Sequence, residues 1–270
     1  MPDYDDQFID VPFDRQPEYT FGDKGAPCWS TLTDYESSVP VLTTKQINEA
    51  IERMEDEGTG AEWLVSRIYD QKNEGSCVAN ACAQANEVTQ AKQFGLDNVI
   101  HLSAMSLYKR IGRSASSGAV VSDGLEEMQS RGILPLDNPE NRTRFGSAVM
   151  ENTGFRNPFP ADWEQTAMLL ILAEYHTVKT PEGLMTALCN RDPCIIGREG
   201  HSICYVKPLI VSGRWGVGYA NSWSKNWGLG MGSHSGGFGI DTLSQLKKSA
   251  KYAFVVRSVK NPNLGAAWDG

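Results

Sequence analysis

Helical periodicity marks the first half of the chain. Residues 43–46 have the pattern of a capping box, with Thr43 as the N-cap and Gln46 three residues later. Apolar residues then return at helical spacing, which predicts a first helix. A longer helix is predicted from 76 to 94, because apolar side chains recur on one face and Gly95 follows as a stop signal.

Short strands replace helices in the second half. Three further helices are predicted to begin after Ser103, Asp123 and Thr180, and residues 135–161 are expected to form a long connection. Five short segments bounded by Gly or Pro are predicted strands: 194–197, 201–206, 215–221, 237–240 and 252–259. Helices first and strands later indicate an α+β fold with two lobes.

Charge is unevenly distributed along the chain. The net charge is −8, yet residues 1–60 contain 14 acidic and 4 basic side chains and so carry −10, which leaves +2 for the rest. A body without a basic face argues against nucleic-acid binding and against attraction to anionic membranes. Because no apolar run approaches ~18 residues, no membrane-spanning helix is expected.

The six cysteines show no metal-binding spacing. No C-x-x-C pair occurs, and no histidine pair stands near them with ligand spacing. We therefore expect no metal and no other cofactor, and a reduced chain in which most cysteines pack in the core.

Cys77 differs from the other cysteines because it opens the longest predicted helix. Backbone N–H groups and the helix dipole at such a position stabilise a thiolate. Gly75 would let a substrate backbone come close, and Gln71 could place a side-chain N–H beside the N–H of Cys77 as an oxyanion hole. The alternative is a buried core cysteine after a polar loop.

A histidine and an asparagine complete the candidate chemistry. His201 begins a predicted strand directly after Gly200, and Asn221 ends the next one. A neutral amide can accept a hydrogen bond from an imidazole N–H and fix the ring orientation, and Trp223 could cover that bond. The alternative is a structural histidine beside ordinary core tryptophans.

Together these parts resemble the papain-like cysteine peptidases, in a compact bacterial or bacteriophage form. The chain order of glutamine, cysteine, histidine and asparagine is that of the family. The resembling residues are Gln71, Gly75-Ser76-Cys77, His201 and Asn221-Ser222-Trp223 with Trp227-Gly228. Weaker similarity at Leu102-Ser103, and from Asp123-Gly124 to Gly132-Ile133, extends the likeness over roughly 61–258.

The resemblance implies a two-lobed papain-like fold, with a helical lobe, an antiparallel β lobe and the active site in the cleft between them. It implies acyl transfer by a thiolate–imidazolium pair of Cys77 and His201. Asn221 would orient the imidazole, and Gln71 would help to hold the oxyanion. The substrate would be a polypeptide.

The same resemblance assigns supporting roles and shows one departure. Gly75 and Gly124 are expected to bind substrate, while Trp223 and Trp227 support the site. Glu74 stands where many members have a disulfide cysteine. Its carboxylate is expected near the cleft, where it would raise the pKa of Cys77 or shape specificity.

The expected organisation has three parts. Residues 1–60 form an acidic arm with one short helix, 61–260 form the papain-like domain and 261–270 form a tail. Within the domain, 61–160 is the helical lobe and 161–260 the β lobe. The arm is either a pro-segment or a permanent arm that docks on the domain or on a partner in an assembly. We favour the second hypothesis.

The sequence is compatible with two functions. The first is a papain-type cysteine peptidase. The second is a structural or assembly component, for example a bacteriophage virion protein, that uses a papain-like scaffold with or without activity. The acidic first ten residues lack the apolar core of a signal peptide, so we expect a cytoplasmic location, or the virion in a bacteriophage.

Overall fold

The computed structural model describes residues 33–198, 200–245 and 252–260. The first 32 residues, with Cys28, and the last ten lie outside the described ranges. Helices predominate up to residue 167: α1 (Tyr35–Ser38), α2 (Thr44–Glu57), α3 (Cys77–Phe94), α4 (Ala104–Ile111), α5 (Val121–Arg131), α6 (Pro139–Phe145) and α7 (Trp163–Ala167).

The remaining described elements build one antiparallel sheet and a helix. They are β1 (Ile171–Val178), α8 (Pro181–Cys189), β2 (Cys194–Arg198), β3 (His201–Val211), β4 (Arg214–Ala220), β5 (Leu229–Met231), β6 (His234–Thr242) and β7 (Tyr252–Lys260). The strand order is β1-β7-β2-β3-β4-β6-β5. This α+β arrangement confirms the predicted fold class.

Local capping signals explain where the helices begin. The capping box before α2 is complete, because Thr43 Oγ1 accepts from the Gln46 N–H at 3.3 Å and Gln46 Oε1 accepts from the Thr43 N–H at 2.9 Å. Gly58 ends α2 in the left-handed region with φ of 62°. Ser103 caps α4 as predicted, since its Oγ accepts from the Ser106 N–H at 3.3 Å.

Three elements depart from the predicted pattern. The expected long connection at 135–161 contains α6, whose N-cap Asn138 accepts from the Asn141 N–H at 2.8 Å. The short helix α7 begins just after it. Strand β1 was not expected, because irregular pairing with β7 around Glu174 breaks its alternation.

Helix α3 is buried on all sides, not on one face. It packs against β3 and β7 and against α4 and α5. Its buried positions include polar residues that one-face periodicity assigned to solvent: Asn80, Gln84, Asn86, Glu87 and Gln90. The Glu87 carboxylate is satisfied at 2.7 Å by both Tyr69 Oη and the Leu102 N–H, which anchors α3 in the core.

The sheet has a hydrophobic core on each face. One core joins α3, α4 and α5 to the sheet. On the other face, α1, α2 and α8 cover the sheet through Tyr35, Ile47 and Met185. The described part of the predicted arm therefore packs on the domain. None of the described helices has the length and apolar character needed to cross a membrane.

Candidate active site

Cys77 is the first residue of α3 and is fully buried. The preceding turn is tight, because the Gly75 N–H donates to the Ala115 carbonyl at 2.7 Å. A Cβ on Gly75 would lie 3.0 Å from the Gly118 nitrogen and 3.1 Å from Tyr108 Oη, so these neighbours would have to move to admit a side chain. Gly75 thus packs on residues 115–118 with its N–H bound to Ala115, and its contact with a substrate stays a prediction.

Gln71 is held in place from both sides. Its Oε1 accepts from Ser222 Oγ at 2.6 Å, and its Nε2 donates to the Glu74 carbonyl at 2.9 Å. The Gln71 backbone N–H also donates to the Ser222 carbonyl at 2.9 Å. The side chain is therefore fixed in the loop that leads to Cys77.

His201 and Asn221 form the predicted pair. His201 Nε2 lies 2.9 Å from Asn221 Oδ1, and because an amide oxygen only accepts, Nε2 carries the hydrogen. Nδ1 is then the basic nitrogen of the neutral ring. Trp223 stacks on the imidazole with centroids 4.8 Å apart, and Trp227 meets Trp223 edge-on at 5.4 Å. Trp223 therefore covers the imidazole, and Trp227 packs behind Trp223.

The cysteine and the histidine lie on facing elements. Helix α3 packs against β3, so the helix that begins with Cys77 faces the strand that begins with His201. A cavity of about 10 Å³, which we call the Gln84 cavity, lies between the early turns of α3, the start of β3 and the turn after β4. A groove of about 1030 Å³ between α2 and the β3–β4 hairpin contains none of the candidate catalytic residues.

Burial controls the protonation of His201. It lowers the pKa of His201 to about 3; the hydrogen bond to Asn221 opposes this change, and the positive charge of Arg198 adds to it. The imidazole is therefore neutral at pH 7 and able to accept a proton. This differs from the imidazolium that the resemblance implies for the resting pair, because the buried ring has lost its hydration.

Arg198 belongs to a buried polar cluster that the sequence analysis missed. It pairs with His201 across β2 and β3. Its guanidinium forms an ion pair with Asp241, which also accepts from Tyr205 Oη at 2.8 Å. The guanidinium lies 4.9 Å above the Tyr219 ring. The available signal in the sequence was that Arg198 and Asp241 are charged residues at the ends of otherwise apolar strand patterns.

Gly124, which was predicted to bind substrate, has a packing role in the structure. It lies inside α5, and its N–H donates to the Val120 carbonyl at 3.2 Å. A Cβ on Gly124 would lie 3.1 Å from Cys82 Sγ and 3.4 Å from Val78 Cγ1. Gly124 is therefore a packing glycine between α3 and α5. These contacts do not involve a substrate, so substrate binding by Gly124 stays a prediction.

Glu74 has a structural partner. Its Oε1 accepts from the Gly154 N–H at 3.1 Å and from the Phe155 N–H at 2.9 Å. The carboxylate therefore ties the loop around residue 154 to the segment before Cys77. Within the described ranges, no three His, Cys, Asp or Glu side chains are grouped to hold a metal ion.

No protein-family model and no curated protein sequence matches the chain. Solved structures do match its fold. One is xylellain, a cysteine protease from Xylella fastidiosa, at 18% identity and a TM-score of 0.57 over 73% of this chain and 83% of that one. Another is procathepsin L2 from Tenebrio molitor larval midgut, at 15% identity and a TM-score of 0.60 over 88% and 78%.

A third similar structure is procathepsin L 3 from the same insect, at 15% identity and a TM-score of 0.55 over 72% of this chain and 67% of that one. At these identities the likeness shows the fold, which is that of the papain-like cysteine proteases.

Proposed function

We propose that this papain-like chain is a cysteine peptidase that hydrolyses peptide bonds. The observation that carries the proposal is the bond of 2.9 Å between His201 and Asn221, covered by Trp223, on a strand that faces the helix beginning with Cys77. The bond to Asn221 Oδ1 keeps the hydrogen on Nε2 and leaves Nδ1 basic, which is the tautomer that a general base requires. The order of the residues along the chain agrees with the same chemistry.

The proposed reaction uses His201 first as a base and then as an acid. Nδ1 of the neutral imidazole accepts the Cys77 thiol proton as the sulfur attacks the peptide carbonyl. The Cys77 N–H and the Gln71 amide donate to the oxyanion. The imidazolium then protonates the leaving amine, and a thioester remains. Water adds to the thioester with His201 again as base, which releases the acid and restores the thiol.

Access to the site requires movement. Cys77 and His201 are both 0% exposed in this structure, so a polypeptide contacts them only after the covering segments shift. Alkylation of Cys77 should therefore be slower than alkylation of a solvent-exposed thiol. This burial is also the observation that favours a second candidate, a structural or assembly component that keeps the scaffold.

Covalent labelling tests the first candidate. An epoxide that reacts with activated thiols should modify Cys77, detected by mass spectrometry of peptides from folded protein. Cys189 is the internal control, because it is partly exposed while burial raises the pKa of its thiol to about 11. Labelling should be lost in His201→Ala. A folded sample that reacts at Cys189 but not at Cys77 would contradict the proposal.

Assembly tests the second candidate. If residues 1–60 attach the protein to a larger particle, their deletion should abolish co-sedimentation while Cys77→Ala retains it. If Cys77→Ala abolishes assembly as well, the scaffold role depends on the nucleophile and is not separate from it.

A further inference from the structure

The Gln84 cavity is lined by polar residues although it lies inside the protein. Six of its lining residues are polar: Tyr69, Asn80, Gln84, Ser202, Asn221 and Ser222. It therefore touches both Asn221, which holds His201, and Ser222, which holds Gln71. Its volume of about 10 Å³ is close to the minimum that accommodates one water molecule.

Two residues that line this cavity carry a buried side-chain amide nitrogen without an acceptor in the described chain. Gln84 Nε2 and Asn221 Nδ2 are shielded from solvent and form no hydrogen bond with any of the described residues. Both residues line the cavity, and they belong to different elements, α3 and the turn after β4. Buried donors without acceptors are costly, so two of them at one cavity indicate a shared acceptor.

We propose that the Gln84 cavity binds one water molecule that accepts from both amides, and that Gln84 is thereby a positioning residue for Asn221. A water oxygen has two lone pairs, which match the two N–H groups. The part concerning catalysis rests on the proposed function, whereas the water site does not.

The orientation of the Asn221 amide matters because of the bonds that its side-chain oxygen accepts. Asn221 Oδ1 accepts from His201 Nε2 and also from the Ser222 N–H at 2.8 Å. Rotation of the amide by half a turn would place its NH₂ group against both donors. A water that accepts from Nδ2 favours the present orientation, because it offers a lone pair where the flipped amide would place its oxygen. Gln84 holds that water from the opposite wall.

A crystal structure tests the water site without any activity measurement. We expect density for one water within about 2.7–3.2 Å of both Gln84 Nε2 and Asn221 Nδ2 in the wild-type protein. In Gln84→Leu, which is similar in volume but has no donor, that water should be absent. A wild-type cavity without water at high resolution overturns the proposal.

A double-mutant cycle tests the positioning role. Gln84→Leu should lower kcat about tenfold with KM nearly unchanged, and it should add nothing in an Asn221→Ala background, because it acts through Asn221. Asn86→Leu is the matched control, since Asn86 is a buried amide of the same helix whose Nδ2 also lacks an acceptor in the described chain. It does not line the cavity and should leave kcat unchanged.

The outcomes separate the two proposals. Equal losses from Gln84→Leu in both backgrounds overturn the positioning role even if the water is present. If the wild-type protein shows neither peptide cleavage nor Cys77 labelling, the proposed function fails, and the crystallographic result alone decides the water site.

Discussion

Acid should destabilise this protein through His201. The folded pKa is about 3 against 6.5 for a free histidine, so the unfolded chain binds a proton that the native site refuses. The contribution of His201 to the free energy of unfolding is fully present well above pH 6.5 and is lost progressively as the pH falls toward 3. Linkage gives a loss from this residue of about 2 kcal/mol at pH 5 and about 3 kcal/mol at pH 4.

The matched variant is His201→Gln. Glutamine does not titrate, and its amide N–H can still donate to Asn221 Oδ1. Free energies of unfolding from urea titrations between pH 8 and pH 4 give the difference between wild type and variant. The free energy of unfolding of the wild type minus that of the variant should be constant above pH 7, where both side chains are neutral. At pH 5 it should be about 2 kcal/mol lower, because only the wild type is destabilised.

The refuting result is a difference of the opposite sign. A resting imidazolium paired with a Cys77 thiolate would raise the folded pKa of His201 above 6.5, and the wild type would then gain relative stability as the pH falls. Parallel curves would show that His201 is not buried in the neutral form. A raised pKa would replace the neutral proton acceptor of the first step by a preformed ion pair, and an unchanged pKa would contradict the effect of burial on His201.

Three further substitutions test neighbouring contacts. Ser222→Ala removes the hydroxyl that fixes Gln71, so kcat/KM for a peptide substrate should fall about fivefold, equivalent to about 1 kcal/mol. Asp241→Asn leaves the Arg198 charge buried without its partner, so chemical denaturation should show a loss of about 3–5 kcal/mol, largely recovered by adding Arg198→Met. Gly124→Ala introduces a Cβ 3.1 Å from Cys82 Sγ of α3 and should lower the free energy of unfolding by up to about 2 kcal/mol net of helix propensity; a raised KM would support the predicted substrate-binding role of Gly124, and an unchanged KM would contradict it.

Local signals explain what could be predicted from the sequence. The helices after Thr43 and Ser103 were predictable because each cap contacts a residue three positions away. The geometry of His201 and Asn221 was also accessible, because each residue stands at the boundary of an apolar strand pattern. Cys77 became the candidate nucleophile because it stands at the start of a predicted helix.

The missed features depend on contacts between residues far apart in the chain. Glu74 bonds to backbone about 80 residues away, and no local pattern indicates that loop. Arg198 and Asp241 meet only in the folded sheet, where β2 lies beside β3 and β6 lies beside β4. The packing role of Gly124 was also missed, because local sequence does not distinguish a helix-packing glycine from a substrate-binding glycine.

The central claim is that Cys77, His201 and Gln71 act on one carbonyl, and a crystal structure with a peptide aldehyde tests it most directly. The account predicts a thiohemiacetal on Cys77 Sγ, with its oxygen within about 3 Å of both Gln71 Nε2 and the Cys77 N–H and with His201 Nδ1 beside the sulfur. A folded protein that forms no adduct at Cys77, or an adduct whose oxygen lies away from Gln71, would contradict it.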